Sequence, residues 1–472
     1  MLRIHPFTAG VLLALPLLSL PAHAQKADSL TVEARAWNRD KNRQVVYSAW
    51  RQHQSLTVDR LPGFKPKAAP RLSKYGGDLA RSWQATGFIR TQHEAGRWWL
   101  VDPLGHPYLT VAMNSVRPAP SETSKAAFAK AFSSPQDWLT KTQALLLDNG
   151  FNGVGAWSEI PAIQVYNRTA ARPLTYETMF NFLAVFDKQQ TTARPASEKL
   201  PKPALVFEPE WAAFCETHAR EAEATRADAN VLGNFSDNEI AFSATLLPQI
   251  LALRDPSQPA YVAALAWLKT QQADSAHLTP DQKNAFVGYV AGKYYQAVGP
   301  ALKKHDPSHL YLGTRLHSSA KFNRYIFAAA EPYVDLVSIN FYGYWQPTAR
   351  QTAQWASFTK KPFFITEFYT KSEESGLSNV AGAGWLVHKE TDRGIHYENF
   401  GLALLQARNC VGWQWFRYQD NDASEPGTDK PDMGSNKGIV DTKYQPYPTL
   451  LGAMKKLNQN VFGLINFFDK KK

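Results

Sequence analysis

A short apolar or β-branched run that ends in a polar residue recurs eight times along this chain, and helical or irregular stretches separate the repeats. No other feature restricts the fold as tightly. The sharpest example is Phe363-Phe364-Ile365-Thr366-Glu367-Phe368-Tyr369, which follows the turn signal Lys361-Pro362 and runs into a carboxylate flanked by aromatics. A sheet interior is a poor place for an unpartnered charge, so Glu367 is expected at the C-terminal mouth of its strand. The other runs are Tyr108 to Met113, ending in Asn114; Gly153 to Ala156, with Trp157 at its mouth; Phe182 to Phe186, ending at Asp187; and Val231 to Ser236, ending in Asp237-Asn238-Glu239. Then come Leu310 to Thr314, followed by Arg315 and His317; Leu336 to Asn340, ending near Tyr342; and Cys410 to Phe416.

Helical stretches fall between these runs, among them Pro135 to Asn149, Trp211 to Ala227 and a long region from Phe242 to Lys304 broken by Pro256 and Pro259. Strands alternating with helices give a parallel sheet, and eight repeats favour an α/β (β/α)8 TIM barrel over an open doubly wound sheet. No glycine-rich dinucleotide fingerprint or phosphate loop follows any strand, so no cofactor is expected. Composition agrees with a folded domain: 44% hydrophobic and 20% charged residues exclude disordered and fibrous classes.

Residues 1–24 read as a cleavable signal peptide. Arg3 precedes the apolar run Val11 to Leu20, and Ala22-His23-Ala24 supplies a small-residue cleavage site, so a mature chain starting near Gln25 is expected in the periplasm or outside the cell. The apolar run is too short to span a bilayer and no other segment is long enough, so no membrane insertion is expected. Residues 25–75 are expected to form a helical arm and linker, with one helix over Ala27 to about Arg60 and a Pro- and Lys-rich wrap from Leu61 to Leu72. Residues 76–472 form the barrel, which a β-hairpin introduces: Thr86 to Thr91 and Arg97 to Asp102, turned at Gly96.

The formal charge of +11 favours contact with acidic material without naming it, and no arginine-rich block or nucleic-acid motif is present. Cys215 and Cys410 sit in apolar neighbourhoods and read as buried thiols, with a disulfide left open as the alternative. His317, Asp187 and the Asp420 to Asp422 run lack HExxH, paired-His or Cys spacing, so no metal site is expected.

The chemistry is concentrated at the ends of the fourth and seventh strands. Glu239 and Glu367 can face each other across a barrel mouth, and two carboxylates so placed are what hydrolysis of a glycosidic bond requires. An Asn-Glu ending strand four with a Glu ending strand seven resembles the large barrel clan of retaining glycosidases. The runs GNFSDNEI from Gly233, ITEFYTKSEESG from Ile365, NCVGWQWFRYQDND from Asn409, GRWWLVDPLGHPYL from Gly96 and HLYLGTRLH from His309 are similar to glycoside hydrolase family 50, the β-agarases. The resemblance covers most of the chain after about residue 80. It implies Glu239 as acid/base, Glu367 as nucleophile, and retaining cleavage of β-1,4-galactosidic bonds in agarose or agaro-oligosaccharides. There are two departures: the chain is too short for the β-sandwich that larger members carry before the barrel, and Gln414 stands where His is common.

Two alternatives stay open. One is a β-galactosidase or galactanase acting on another red-algal or plant galactan; the other is a carbohydrate-binding barrel without catalysis, against which the presence of both acids argues. Asn238 is expected to hydrogen-bond a sugar hydroxyl and Tyr342 to orient the nucleophile, though both residue types also serve turns and cores. Trp157, Trp413 and Trp415 are candidate stacking platforms, and alternation puts Trp413 and Trp415 on one side of their strand and Gln414 on the other. Asn114, Arg315 and His317 complete the set of candidate substrate-binding residues.

Overall fold

A computed structural model describes residues 30–39, 45–66, 69–191, 200–380, 382–425 and 434–470; the expected signal peptide lies outside these residues. Eight parallel strands, Thr110–Met113, Gly153–Val154, Thr175–Met179, Val231–Asn238, Leu310–Leu316, Val337–Asn340, Phe363–Phe368 and Cys410–Trp415, close into a barrel in chain order. The eighth pairs with the first from Gly412↔Thr110 to Trp415↔Met113. Inside, Leu232, Phe235, Leu312, Leu336, Phe364 and Val411 form an apolar plug, with the Phe235 and Phe364 rings stacked 6.0 Å apart. Burial on both faces is what makes these strands read as near-continuous apolar runs.

The bottom of the barrel is closed by the expected hairpin, whose first strand begins at Arg90 rather than at Thr86. Arg90–Glu94 pairs antiparallel with Arg97–Val101, and Ala95 and Gly96 between them both take left-handed φ, which suits a two-residue turn. Ile89, Leu100 and Tyr108 join the apolar cluster of the barrel interior. Buried Arg97 pairs with Asp469 at 2.9 Å and so ties the hairpin to the last helix, Val461–Lys470.

Two expectations are corrected. The third strand is Thr175–Met179, while Phe182 to Phe186 and Asp187 lie on the helix Phe182–Thr191. A five-residue apolar run fits a buried strand or a helix face equally well. What starts the helix is Asp237, whose carboxylate accepts the backbone N–H groups of Leu183 and Ala184. Among the described residues of the N-terminal arm the expected long helix is replaced by strands, with only a short 3-10 turn at Val58–Arg60. Leu30–Arg35 and Arg51–Ser55 are strands, and Val32 and Ala34 alternate inward in a period of two that outweighs the helix propensity of Glu and Ala.

That arm builds onto the top of the barrel. Leu30–Arg35 lies between Arg51–Ser55 and Trp385–Val387, and Trp385–Val387 pairs in turn with Thr370–Ser372, which begins three residues after Glu367. Trp345 stacks on His53 at 4.9 Å and donates to Ser55 Oγ, so the arm is packed as well as hydrogen-bonded.

The longest helix, Pro280–His305, has a full capping box. Thr279 accepts from Gln282 N while Gln282 bonds back to Thr279, and Pro280 and Asp281 occupy the first turn. It delivers Tyr294, whose hydroxyl donates to Asp237 at 2.6 Å just behind Asn238 and Glu239. Cys215 and Cys410 are free and buried. Among the described residues no helix is long and apolar enough to cross a membrane, and no group of three His, Cys, Asp or Glu is placed to hold a metal ion.

Candidate active site

The two acids stand at the barrel mouth as expected, in different settings. Glu367 lies next to the end of the seventh strand, with its side chain 9% exposed. One carboxylate oxygen, Oε2, accepts from Tyr342 Oη at 2.7 Å; the other, Oε1, meets Arg315 Nη1 at 2.8 Å. Burial pushes the Glu367 carboxyl above the ordinary glutamate range; Arg315 draws it down and the charge of Glu239 adds to the rise. Burial likewise holds the Tyr342 hydroxyl protonated, so it remains a donor.

Glu239 follows the fourth strand with φ of +50° and its side chain 31% exposed. The backbone turn is fixed by its own N–H donating to Arg315 O, and Asn340 Nδ2 donates to Oε1 at 2.7 Å. His317 Nδ1 stands 3.8 Å from Oε2. Burial and nearby Lys321 lower the His317 pKa, against the pull of Glu367. A hollow of about 450 Å³ opens on this side, lined by Lys202, Asn238, Glu239, Ser243, Thr245 and Gln249 among others.

Under the acids runs a buried polar layer that rests on the aromatic plug. Arg315 lies over the Phe235 ring and reaches four groups besides the ring: Glu367, Asn238 Oδ1, Asn114 Oδ1 and Thr366 O. Asn114 Nδ2 also donates to Thr366 O, and Thr366 Oγ1 donates to Asn340 Oδ1. Three asparagines, Asn114, Asn238 and Asn340, thus stand at the ends of strands one, four and six and cross-link the rim.

The structure sorts the candidate binding residues by depth. Trp157 is at the mouth of the second strand, 36% exposed and with φ of +66°, and remains available as an aromatic surface. His317 is half-buried, and Asn238 is partly exposed with its amide oxygen held by Arg315 and Asn340. Tyr342 bonds the nucleophile candidate, as expected. Asn114 and Arg315 are fully buried, and both bond Thr366 O while Arg315 also pairs with Glu367. Trp413 and Trp415 are corrected: both are fully buried on the helix-facing side of the last strand, where their indole N–H groups donate to Tyr397 Oη and Lys437 O. Gln414, between them, faces the barrel interior and bonds Glu177.

Sequence reasoning missed Asn340, Thr366, Glu177 and Lys321. Asn340 repeats the strand-ending asparagine of Asn114 and Asn238, and that repetition was the available signal. Lys321 is buried among the Phe322, Phe341 and Tyr344 rings and donates to Tyr342 O. Burial brings it down to about 8 while Glu239 opposes the shift. Its place on a short 3-10 turn, Ser318–Phe322, left no periodicity to read.

No family profile matches the sequence. The solved structure of BpGH50 is 34% identical and superposes with a TM-score of 0.83, covering 93% of this chain and 96% of that one. Beta-agarase B of Vibrio sp. (strain JT0107) is 23% identical over 84% of this chain, which spans about half, 50%, of that protein's length. The structure of an exo-beta-agarase shares the fold at 20% identity, with a TM-score of 0.68 over 86% of this chain and 70% of that one.

Proposed function

The chain belongs to glycoside hydrolase family 50, and from that premise we propose that it is a β-agarase-like enzyme that cleaves β-1,4-galactosidic bonds of agarose or its oligosaccharides with retention of configuration. The observation that carries this reading is the asymmetric pair of acids: a buried Glu367 gripped by Arg315 and Tyr342, beside an open Glu239 that has one firm hydrogen bond.

Glu367 attacks the anomeric carbon while Glu239 gives its proton to the departing glycosidic oxygen, and a glycosyl ester forms on Glu367. Arg315 and Tyr342 fix the attacking carboxylate and recover it as the leaving group of the second step. Glu239, now ionised, takes a proton from the water that hydrolyses the ester. Its exposure gives that water a path, and Trp157 offers an apolar face to a sugar ring. We propose that the chain is exported, with cleavage near Ala24; mass spectrometry of exported protein should find a start near Gln25.

Proton NMR of the first-formed reducing end from an agarose oligosaccharide tests the mechanism. A β anomer is expected; an initial α anomer means inversion, and the double displacement is then wrong. Turnover of plain β-galactosides with no turnover of agarose oligosaccharides would overturn the substrate.

A further inference from the structure

One acid in the barrel has no place in the reaction above. Glu177 lies in the middle of the third strand, buried, in the same polar layer as Arg315. Its Oε1 accepts from Gln414 Nε2, while its Oε2 and Gln414 Oε1 are both buried without a hydrogen-bond partner. Two orphaned acceptors beside one another's residues are an unusual cost in a native interior. The second strand accommodates them: a Cβ at Gly155 would come within 2.6 Å of Gln414 Oε1 and 2.4 Å of Asn114 Oδ1, so only glycine admits both amides. The same layer holds Arg315, whose guanidinium contacts Glu367 at 2.8 Å.

On the reading of Glu367 as nucleophile, we propose that Glu177 is a positioning residue that stays protonated through turnover and closes a two-bond ring with Gln414, so that Glu367 is the carboxylate paired with Arg315. In that ring Gln414 Nε2–H donates to Glu177 Oε1 and Glu177 Oε2–H donates to Gln414 Oε1, so both orphaned oxygens are satisfied by one proton. An ionised Glu177 would leave them unpaired and would compete with Glu367 for the Arg315 guanidinium. The titratable groups facing Glu177 are Arg315 from the fifth strand and Tyr108 from below, and Gln414 faces it from the eighth. Burial pushes Glu177 up to about 8 against the opposing pull of Arg315 and Gln414. From Glu177 the chain of contacts runs through Gln414 and past Gly155 to Asn114, then to Arg315 and Glu367.

The test compares the intact protein with Glu177→Gln and Glu177→Leu. Infrared difference spectra at neutral pH should show a protonated-carboxyl C=O band that Glu177→Gln lacks. This readout needs no substrate, so it stands even if agarose oligosaccharides prove to be the wrong substrate. On the best oligosaccharide, Glu177→Gln, which rebuilds the ring as an amide pair, should keep kcat within about twofold and the acidic limb of kcat/KM unmoved. Glu177→Leu, which cannot, should lose about tenfold or more in kcat with KM little changed, and its acidic limb should move to higher pH. A band that survives Glu177→Gln, an acidic limb that falls in Glu177→Gln because a negative charge was removed, or a Glu177→Leu protein with the wild-type profile would each overturn the proposal.

Discussion

The two acids of this barrel share a rim and are built in opposite ways. Glu367 is nearly enclosed and held at both oxygens, by a guanidinium and by a phenol, whereas Glu239 is about a third exposed and leans on one amide, with an imidazole at 3.8 Å. A nucleophile must be aimed and must stay ionised, so it gains from rigid charged and hydrogen-bonding partners. An acid that gives up a proton and takes one back from water needs solvent within reach. The contrast in burial therefore separates the two proposed roles more clearly than residue type does.

The contrast is broken most directly by removing each acid in turn. Glu367→Gln should cost about 10⁴-fold or more in kcat, the scale on which loss of a nucleophile acts. Glu239→Gln should cost about 10²- to 10⁴-fold, and least on substrates whose leaving group needs no proton. Azide should restore cleavage of such substrates in a Glu367→Gly protein, because a small anion can replace the missing carboxylate. Equal losses on every leaving group would erase the distinction between the residues. Next in size is Tyr342→Phe, which removes a hydrogen bond to a charged group and should cost about 10- to 100-fold in kcat/KM.

The pH profile sharpens the comparison further. As the proposed nucleophile Glu367 must be ionised, and its carboxyl lies above the 4.5 of a free glutamate, so activity should be lost as pH falls through a value higher than 4.5. Because the Tyr342 bond pulls Glu367 down, Tyr342→Phe should move that acidic limb to still higher pH. An acidic limb below 4.5 in the wild type would mean that Arg315 outweighs burial.

The smallest effect on catalysis is expected at the tryptophans. Trp157→Ala should raise KM about 2- to 10-fold with kcat almost unchanged, since it removes only a stacking face. Trp413→Ala should instead destabilise the fold by about 3–5 kcal/mol, read by thermal or denaturant unfolding, because it opens a cavity beneath Tyr397.

Those tryptophans also show where sequence reading stopped. Glu239 and Glu367 were legible because a charge that follows an apolar strand has few places to go. Trp413 and Trp415 were not, since a strand buried on both faces has no polar side to reveal its parity, and Gln414 between them turns inward. Arg315 and His317 share a face two residues apart, and the sequence marked both as donors. Depth separates them: Arg315 is sealed under the rim, and His317 reaches it. The strand assigned to Phe182 to Phe186 failed because the side chain that starts a helix there, Asp237, belongs to a strand more than fifty residues away.

The arm that pairs onto the rim has a consequence for how the protein is made. Ala34 lies opposite Val387, roughly 350 positions along the chain, and the segment between them contains both acids. Contacts so distant in sequence form late, because a long loop must close before they return any energy. The edge formed by Leu30–Arg35, Trp385–Val387 and Thr370–Ser372 is therefore complete only when the arm has met the segment that follows Glu367. The arm is translated more than three hundred residues before its partner Trp385–Val387, so this edge of the rim is completed only after most of the barrel has been made.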